Sequence, residues 1–324
     1  TNGGAIYNTS GTIGNITGDF IGNHTNSGGA IYNNAGEINS IIGDFINNSG
    51  TAIYNTQTQN GEPGLINSIK GDFIQNTGEN GGAIYTGCVN SYWDYYGHIT
   101  ELSGNFIENT AENLGGAIYI NNEYDSEYST LFDMNIGVGK ITNSSFINNN
   151  AGNYGGAIFS KSNVNIEAKD GYQSVFKDNY TESNGVKDDN AIYMGSSDTT
   201  LSFKMSNGGS VYMADNIDGV IKDNGDGTKD GYNVDIKGDD INKTTFYMLN
   251  DIRNADVSVG STTLNTINNQ SHTYNFNSFA LTDNTNMLAD VDLKNETMDR
   301  FTAASYGEHQ GNLNVTGMNL LSDA

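Results

Sequence analysis

Carboxylates are the side chains best placed for chemistry here, and two adjacent pairs stand out: Asp188-Asp189 and Asp239-Asp240. Paired acids can share the acid and base roles of glycoside hydrolysis, or ligate a calcium ion together. Both pairs lie in polar, glycine-flanked stretches of a chain with 38 acidic residues, where a solvated loop is the simpler reading. A polysaccharide lyase would also need a base, yet Arg253, Arg300 and the histidines His24, His98, His272 and His309 share no motif. The run Asp223-Asn224-Gly225-Asp226-Gly227-Thr228-Lys229-Asp230-Gly231 alternates oxygen donors with glycine, as calcium loops do. It misses the D-x-[DN]-x-[DN]-G-x5-E spacing, so Asp223, Asp226 and Asp230 are metal candidates by composition only, against an acidic turn. No phosphate-binding loop, dinucleotide fingerprint, H-E-x-x-H or G-x-S-x-G occurs, and Cys88 has no motif partner. The expectation is therefore no catalytic residue and no cofactor, with calcium as the alternative.

Contact chemistry is better represented. Ser91-Tyr92-Trp93-Asp94-Tyr95-Tyr96 forms one aromatic insertion, and Tyr124 and Tyr128 sit among acids in a second at Asn121–Leu131. Both lengthen the gap between repeated motifs, so both should be loops leaving the main body. Aromatic side chains on loops make good contact surface for sugars or proteins. The alternative is that they fold back and cover that body. Tyr92, Trp93, Tyr95, Tyr96, Tyr124 and Tyr128 are the candidate binding residues.

Composition limits what can carry these loops. Among 324 residues, 14 bases face the 38 acids for a net charge of −24, which argues against nucleic acid as a partner. Hydrophobic residues reach only 35%, while aromatics stand at 10% and glycines number 41. That is too little apolar surface for a thick spherical core and too many aromatics for a disordered chain. A thin core repeated along an axis satisfies both. One cysteine allows no internal disulfide, and no run approaches the ~18 apolar residues of a membrane helix.

Repeats supply the axis. GGAIYN occurs at Gly3–Asn8 and Gly28–Asn33, followed by TAIYN at Thr51–Asn55, GGAIY at Gly81–Tyr85 and Gly115–Tyr119, GGAIF at Gly155–Phe159 and NAIY at Asn190–Tyr193. Interleaved with it is an F-x-x-N unit that begins at Phe20, Phe45, Phe73, Phe106, Phe146 and Phe176. Isoleucine or leucine seven and four residues before four of these phenylalanines imitates a helix. However, Gly18, Gly43, Gly71 and Gly104 fall inside that would-be helix, at about 1 kcal/mol each against alanine. Short strands separated by bends, which reset the inward parity, fit better.

Strands repeating every 25 to 40 residues without helices predict an all-β, right-handed parallel β-helix, a solenoid of roughly 11–13 coils about 50–60 Å long. Equivalent residues then stack. The six phenylalanines form an interior aromatic column, and Asn23, Asn48, Asn76, Asn109, Asn149 and Asn179 form an amide ladder. Gly-Gly before Ala-Ile supplies a turn with positive φ and room for close coil approach. Residues 1–194 hold the regular repeats, and 195–324 read as a less regular continuation, with a separate small β domain as the alternative. Thr1 enters mid-repeat and Leu320-Leu321 close without a polar cap, which predicts a segment of something longer.

The paired GGAI and FxxN motifs, spread over residues 3–193, resemble those of the chlamydial polymorphic membrane proteins and, more broadly, autotransporter passenger domains. That resemblance implies a passenger β-helix displayed outside the cell and joined in the full-length chain to a C-terminal outer-membrane barrel. It also implies adhesion, with a host or microbial surface protein or glycan as partner. A chain that crosses a narrow pore unfolded should avoid disulfides, and this one can form none. The expected function is a non-enzymatic extracellular rod, adhesin or stalk; the rival is a polysaccharide lyase or hydrolase on the same scaffold.

Overall fold

A computed structural model describes residues 3–57, 63–87, 97–121, 137–225, 229–307 and 309–322. The described residues form strands and turns wound into a parallel β-helix, with three long sheets on its faces. The first collects the AIY strands, Ile6–Thr9, Ile31–Asn34, Ile53–Thr56, Ile84–Gly87, Ile118–Asn121, Ile158–Ser160, Val186–Met194 and finally Asn216–Gly219. The second has eleven strands, from Thr12–Thr17 to Arg300–Tyr306, and so counts eleven coils. The third begins at the phenylalanine strands, Phe20–Ile21 and Phe45–Ile46, and reaches Leu313–Ser322.

Pairing is parallel and residue-matched, so like stacks on like. Ile6, Ile31, Ile53, Ile84, Ile118, Ile158 and Ile192 follow one another across the first sheet. Ile13, Ile38, Ile66, Ile99 and Val138 do the same across the second. The helix-like spacing of the isoleucines has a specific cause. Ile38 and Ile41, three apart, both point inward within the single strand Glu37–Ile42, and the two residues between them bulge outward. Parity is thus reset by an outward kink inside one strand rather than by a bend between two, and the neighbouring strands kink at the same place, so the pairing stays one to one. The strands Val164–Lys169, Thr200–Ser206 and Tyr232–Gly238 of this sheet alternate strictly, and the three-residue inward spacing returns at Phe276 and Phe279.

Two columns run through the interior. Phe20, Phe45, Phe73, Phe106, Phe146 and Phe176 stack face over face, with centroids 4.7–4.9 Å apart. Beside them each asparagine of the FxxN unit accepts, on its Oδ1, both the backbone N–H and the side-chain N–H of the rung before. For Asn76 onto Asn109 both distances are 3.0 Å. From Asn48 onward each Nδ2 also donates back to the phenylalanine carbonyl of the preceding coil, as Asn109 does to Phe73 at 2.9 Å. The asparagine-to-asparagine bonds therefore all point forward along the axis, and the bonds to the phenylalanine carbonyls all point back. The Gly-Gly pairs sit where the coil turns into the AIY strand; the first glycine is left-handed, with φ between 62° and 68° at Gly3, Gly28, Gly81, Gly115 and Gly155.

Several of these columns end at one level. The phenylalanine stack breaks at Phe176, which meets Phe203 edge-on at 88°. The asparagine ladder ends on Asp215. A short parallel ladder between the FxxN and GGAI units, Thr77–Asn80, Thr110–Leu114, Asn150–Ala151 and Tyr180–Ser183, is closed by an antiparallel hairpin with Val186–Met194. Beyond Asn216–Gly219, among the described residues, the first sheet keeps only the Ile217–Ile252 bridge. The other two sheets run on, with strands Thr245–Met248, Ala255–Gly260, Thr273–Leu281 and Thr285–Asp292, so the rod narrows at a shoulder.

Candidate functional site

The aromatic candidates Tyr92, Trp93, Tyr95, Tyr96, Tyr124 and Tyr128 lie outside the described residues, as do Cys88 and Asp226. Their points of departure are described. The segments 58–62, 88–96 and 122–136 all leave the chain after strands of the first sheet, close behind Thr56, Gly87 and Asn121. Thr56 pairs with Gly87, and Gly87 with Asn121, so the three segments root on consecutive coils at one corner of the rod.

The same sheet carries an outward aromatic ribbon that sequence reasoning did not single out. Tyr7, Tyr32, Tyr54, Tyr85, Tyr119, Phe159 and Tyr193 occupy one position of the AIY strand in successive coils. Their centroids are 4.1–5.8 Å apart, with Tyr54 and Tyr85 closest and nearly coplanar in orientation at 3°. Burial and the neighbouring phenols push the Tyr54 hydroxyl well above its usual range. The signal was present in the repeated Tyr of AIY, which alternation places opposite the buried Ile. Tyr85, Tyr119 and Phe159 are buried together, and the rings turn their faces to one another, so the ribbon offers no open face for sugar stacking. It serves as a brace beside the corner rather than as a sugar platform.

At the shoulder this outward column changes character. Asp218 pairs with Tyr193 from the next coil, and the Ile217–Ile252 bridge brings Arg253 in after Asp218, so the column reads Tyr193, Asp218, Arg253. Arg253 Nη1 lies 3.4 Å from Asp188 Oδ2 on the hairpin. Asn254 Nδ2 donates to Asp218 Oδ1 at 2.8 Å, and the Tyr232 hydroxyl donates to the Arg253 carbonyl at 2.9 Å. Burial raises the Asp218 carboxyl above its ordinary value, against hydrogen bonds from Gly219 and Asn254 and the Arg253 charge. Asp188 and Asp189 thus stand in a strand, not in a free loop as their composition suggested, because the hairpin that closes the short ladder recruits them. The exposed Arg253–Asp188 pair adds little stability: Arg253→Ala should change the unfolding free energy by about 0–1 kcal/mol, and less at high salt. Paired melting curves at low and high ionic strength check this.

The remaining candidates are dispersed. Asp223 and Asp230 belong to a small hairpin, Lys222–Asp223 against Lys229–Asp230, where Asp223 Oδ1 accepts from Gly225 N–H at 2.9 Å and Asp230 Oδ2 from Asn224 at 3.0 Å. Asp240 accepts from Asn242 N–H and pairs with Lys243 at 2.9 Å in a turn. Among the described residues no three His, Cys, Asp or Glu side chains converge as a metal-holding group. His98 stands in the second sheet, its imidazole held below its ordinary value by burial.

The geometry can be set against known proteins. The family model of the Chlamydia polymorphic membrane protein repeat matches residues 103–121 and 143–161. These two segments are similar to polymorphic membrane protein repeats. Each spans one FxxN rung and the following GGAI turn, Phe106–Asn109 with Gly115–Ile118 and Phe146–Asn149 with Gly155–Ile158. In the rod, each matched segment is one rung of each interior column plus one strand of the first sheet. Comparisons with curated proteins and with solved structures return no match.

Proposed function

We propose that this chain is the extracellular rod of an autotransporter-like surface protein and that it binds a surface glycan or protein without catalysis. The observation that carries the reading is the polymorphic membrane protein repeat, built into a continuous parallel β-helix. The common corner at Thr56, Gly87 and Asn121 supports it, because the residues that precede the Trp- and Tyr-rich segments are paired there on neighbouring coils. Binding then rests on the residues of those segments, and the columns beneath hold their roots in register. An outer-membrane barrel in the full-length protein belongs to the same reading.

A panel of acidic and neutral polysaccharides, with and without calcium, tests it by scoring retention and product release separately. Retention without product is expected, and Trp93→Ala or Tyr95→Ala should weaken it about tenfold or more with the melting temperature unchanged. Absence of both signals would leave a stalk or a protein receptor. The shoulder favours one second reading, a polysaccharide lyase or hydrolase, because it places Arg253 beside Asp188 and Asp218. Product release that disappears in Asp218→Asn and in Arg253→Ala would establish that enzyme and overturn the adhesin.

A further inference from the structure

The asparagine ladder has a direction, and its last rung is an acid. From Asn23 to Asn179 every rung passes its N–H groups forward to the next Oδ1, so the series must end on an acceptor. Asp215 Oδ2 takes the final pair, from Asn179 N–H at 3.0 Å and from Asn179 Nδ2 at 2.7 Å. In each asparagine rung from Asn48 onward the partner of that acceptor oxygen is an Nδ2, which donates back to a phenylalanine carbonyl. In Asp215 it is a second oxygen, which has a hydrogen to donate only when the acid is protonated. Asp215 is 3% exposed, so water does not replace the missing donor.

We propose that Asp215 is a proton-controlled joint: protonated, it completes the ladder and fastens the shoulder to the regular coils; ionised, it leaves that level loosened.

The surroundings work in the same direction. Burial is the largest influence and pushes the carboxyl up to about 6; hydrogen bonds from Asn179 and from the Asp178 backbone oppose it, and the negative charge of Asp189 on the hairpin adds to it. In the coil above, Lys177 lies 3.8 Å from Asp178. In the coil below, Asp251 is engaged by His272 at 2.7 Å and Arg253 by Asp188. No basic group is among the influences on Asp215. The sign follows from linkage. Between about pH 4 and pH 6 the folded shoulder binds a proton that the unfolded chain does not. The stability it contributes is complete below about pH 4 and is lost as pH rises through about 6.

Hydrogen exchange of the full chain, corrected for the intrinsic pH dependence of amide exchange, reads the joint directly at Gln173–Lys177, Ser210–Met213 and Asn216–Gly219. Between pH 5 and pH 7.5 protection there should fall by up to about tenfold, the share of the displacement from 3.8 to about 6 that lies above pH 5, while Phe45–Ile46 and Phe73–Ile74 stay constant. Asp215→Asn supplies the donor at every pH and should hold protection at its pH 5 level throughout. Asp189→Asn keeps the joint but removes a neighbouring charge, so its midpoint should move to lower pH. Equal wild-type protection at the two pH values overturns the proposal. So does a pH-dependent fall that persists in Asp215→Asn, or a midpoint indifferent to Asp189→Asn.

Discussion

Asn109→Ala should cost about 3–5 kcal/mol, although Asn109 touches no ligand and carries no charge. The side chain makes four buried hydrogen bonds: it accepts from Asn76 N–H and Asn76 Nδ2 at 3.0 Å, and donates to Phe73 O at 2.9 Å and Asn149 Oδ1 at 3.0 Å. Alanine removes all four at once. Two donors of Asn76 are left in a dry interior, and stranded buried donors cost more than the bond itself contributed. In a solenoid each coil contacts only its neighbours, so the damage should be regional. Exchange protection should collapse around Phe73–Ile74, Phe106–Ile107 and Phe146–Ile147 and survive near Val257 and Phe279. Loss of less than about 1 kcal/mol would mean that water replaces the amide and that the ladder is ornamental to stability. Asn109→Asp sharpens the comparison, because it keeps the accepting oxygen and deletes both donors. It should destabilise at pH 7.5 and recover part of the loss at pH 5.

How far the sequence disclosed this architecture depended on whether a residue type repeats at constant position. Phe and Asn recur in every regular coil at a fixed offset, so both interior columns could be placed without coordinates. The inward asparagines of AIYN were missed for a physical reason. Asn8 donates to Asn33 at 2.9 Å and Asn33 to Asn55 at 2.8 Å, a second ladder, yet an asparagine at the end of a short strand looks like a turn residue. The terminal rung was hidden differently. Met213-Ala214-Asp215-Asn216 mimics Phe176-Lys177-Asp178-Asn179, which makes Asn216 look like the next rung. Met213 does pair with Phe176, but the chain turns one residue sooner, and Asn216 instead donates to the Asp189 carbonyl at 2.7 Å. Nor could spacing reveal the shoulder, since Asp188, Asp218 and Arg253 meet there only because the first sheet ends and a hairpin folds back. The aromatic insertions read at Ser91–Tyr96 and Asn121–Leu131 fall on residues outside those described, apart from Asn121, and the pairing of Gly87 with Asn121 that brings their roots together emerges only from the register.

A single methyl group should have a large effect at Gly116. A Cβ there would lie 2.0 Å from Gly156 O and 2.4 Å from Asn150 O, both backbone atoms of the next coil. Neither can yield without opening the ladder, because Gly116 N–H bonds Gly155 O at 3.0 Å and Ala117 N–H bonds Ala157 O at 2.9 Å. Gly115 before it needs the left-handed conformation, with φ at 62°, whereas Gly116 needs only space, so the two glycines of the motif answer different demands. Gly116→Ala should therefore cost more than about 4 kcal/mol or prevent folding of the coils around it. Gly14→Ala is the matched control: it stands on the exposed face of Thr12–Thr17, and a Cβ there meets nothing within 4 Å. That change should be neutral, or stabilising by about 0.5 kcal/mol through the unfolded chain. Limited proteolysis and melting of the two variants side by side decide the matter. If Gly116→Ala melts within about 2 °C of Gly14→Ala, the coils can part to admit a methyl group. Close backbone approach would then no longer explain the second glycine of the repeat. The expected separation, one alanine tolerated and the other not, ties the GGAI motif to the distance between coils. That same distance sets the phenylalanine stack and the asparagine ladder.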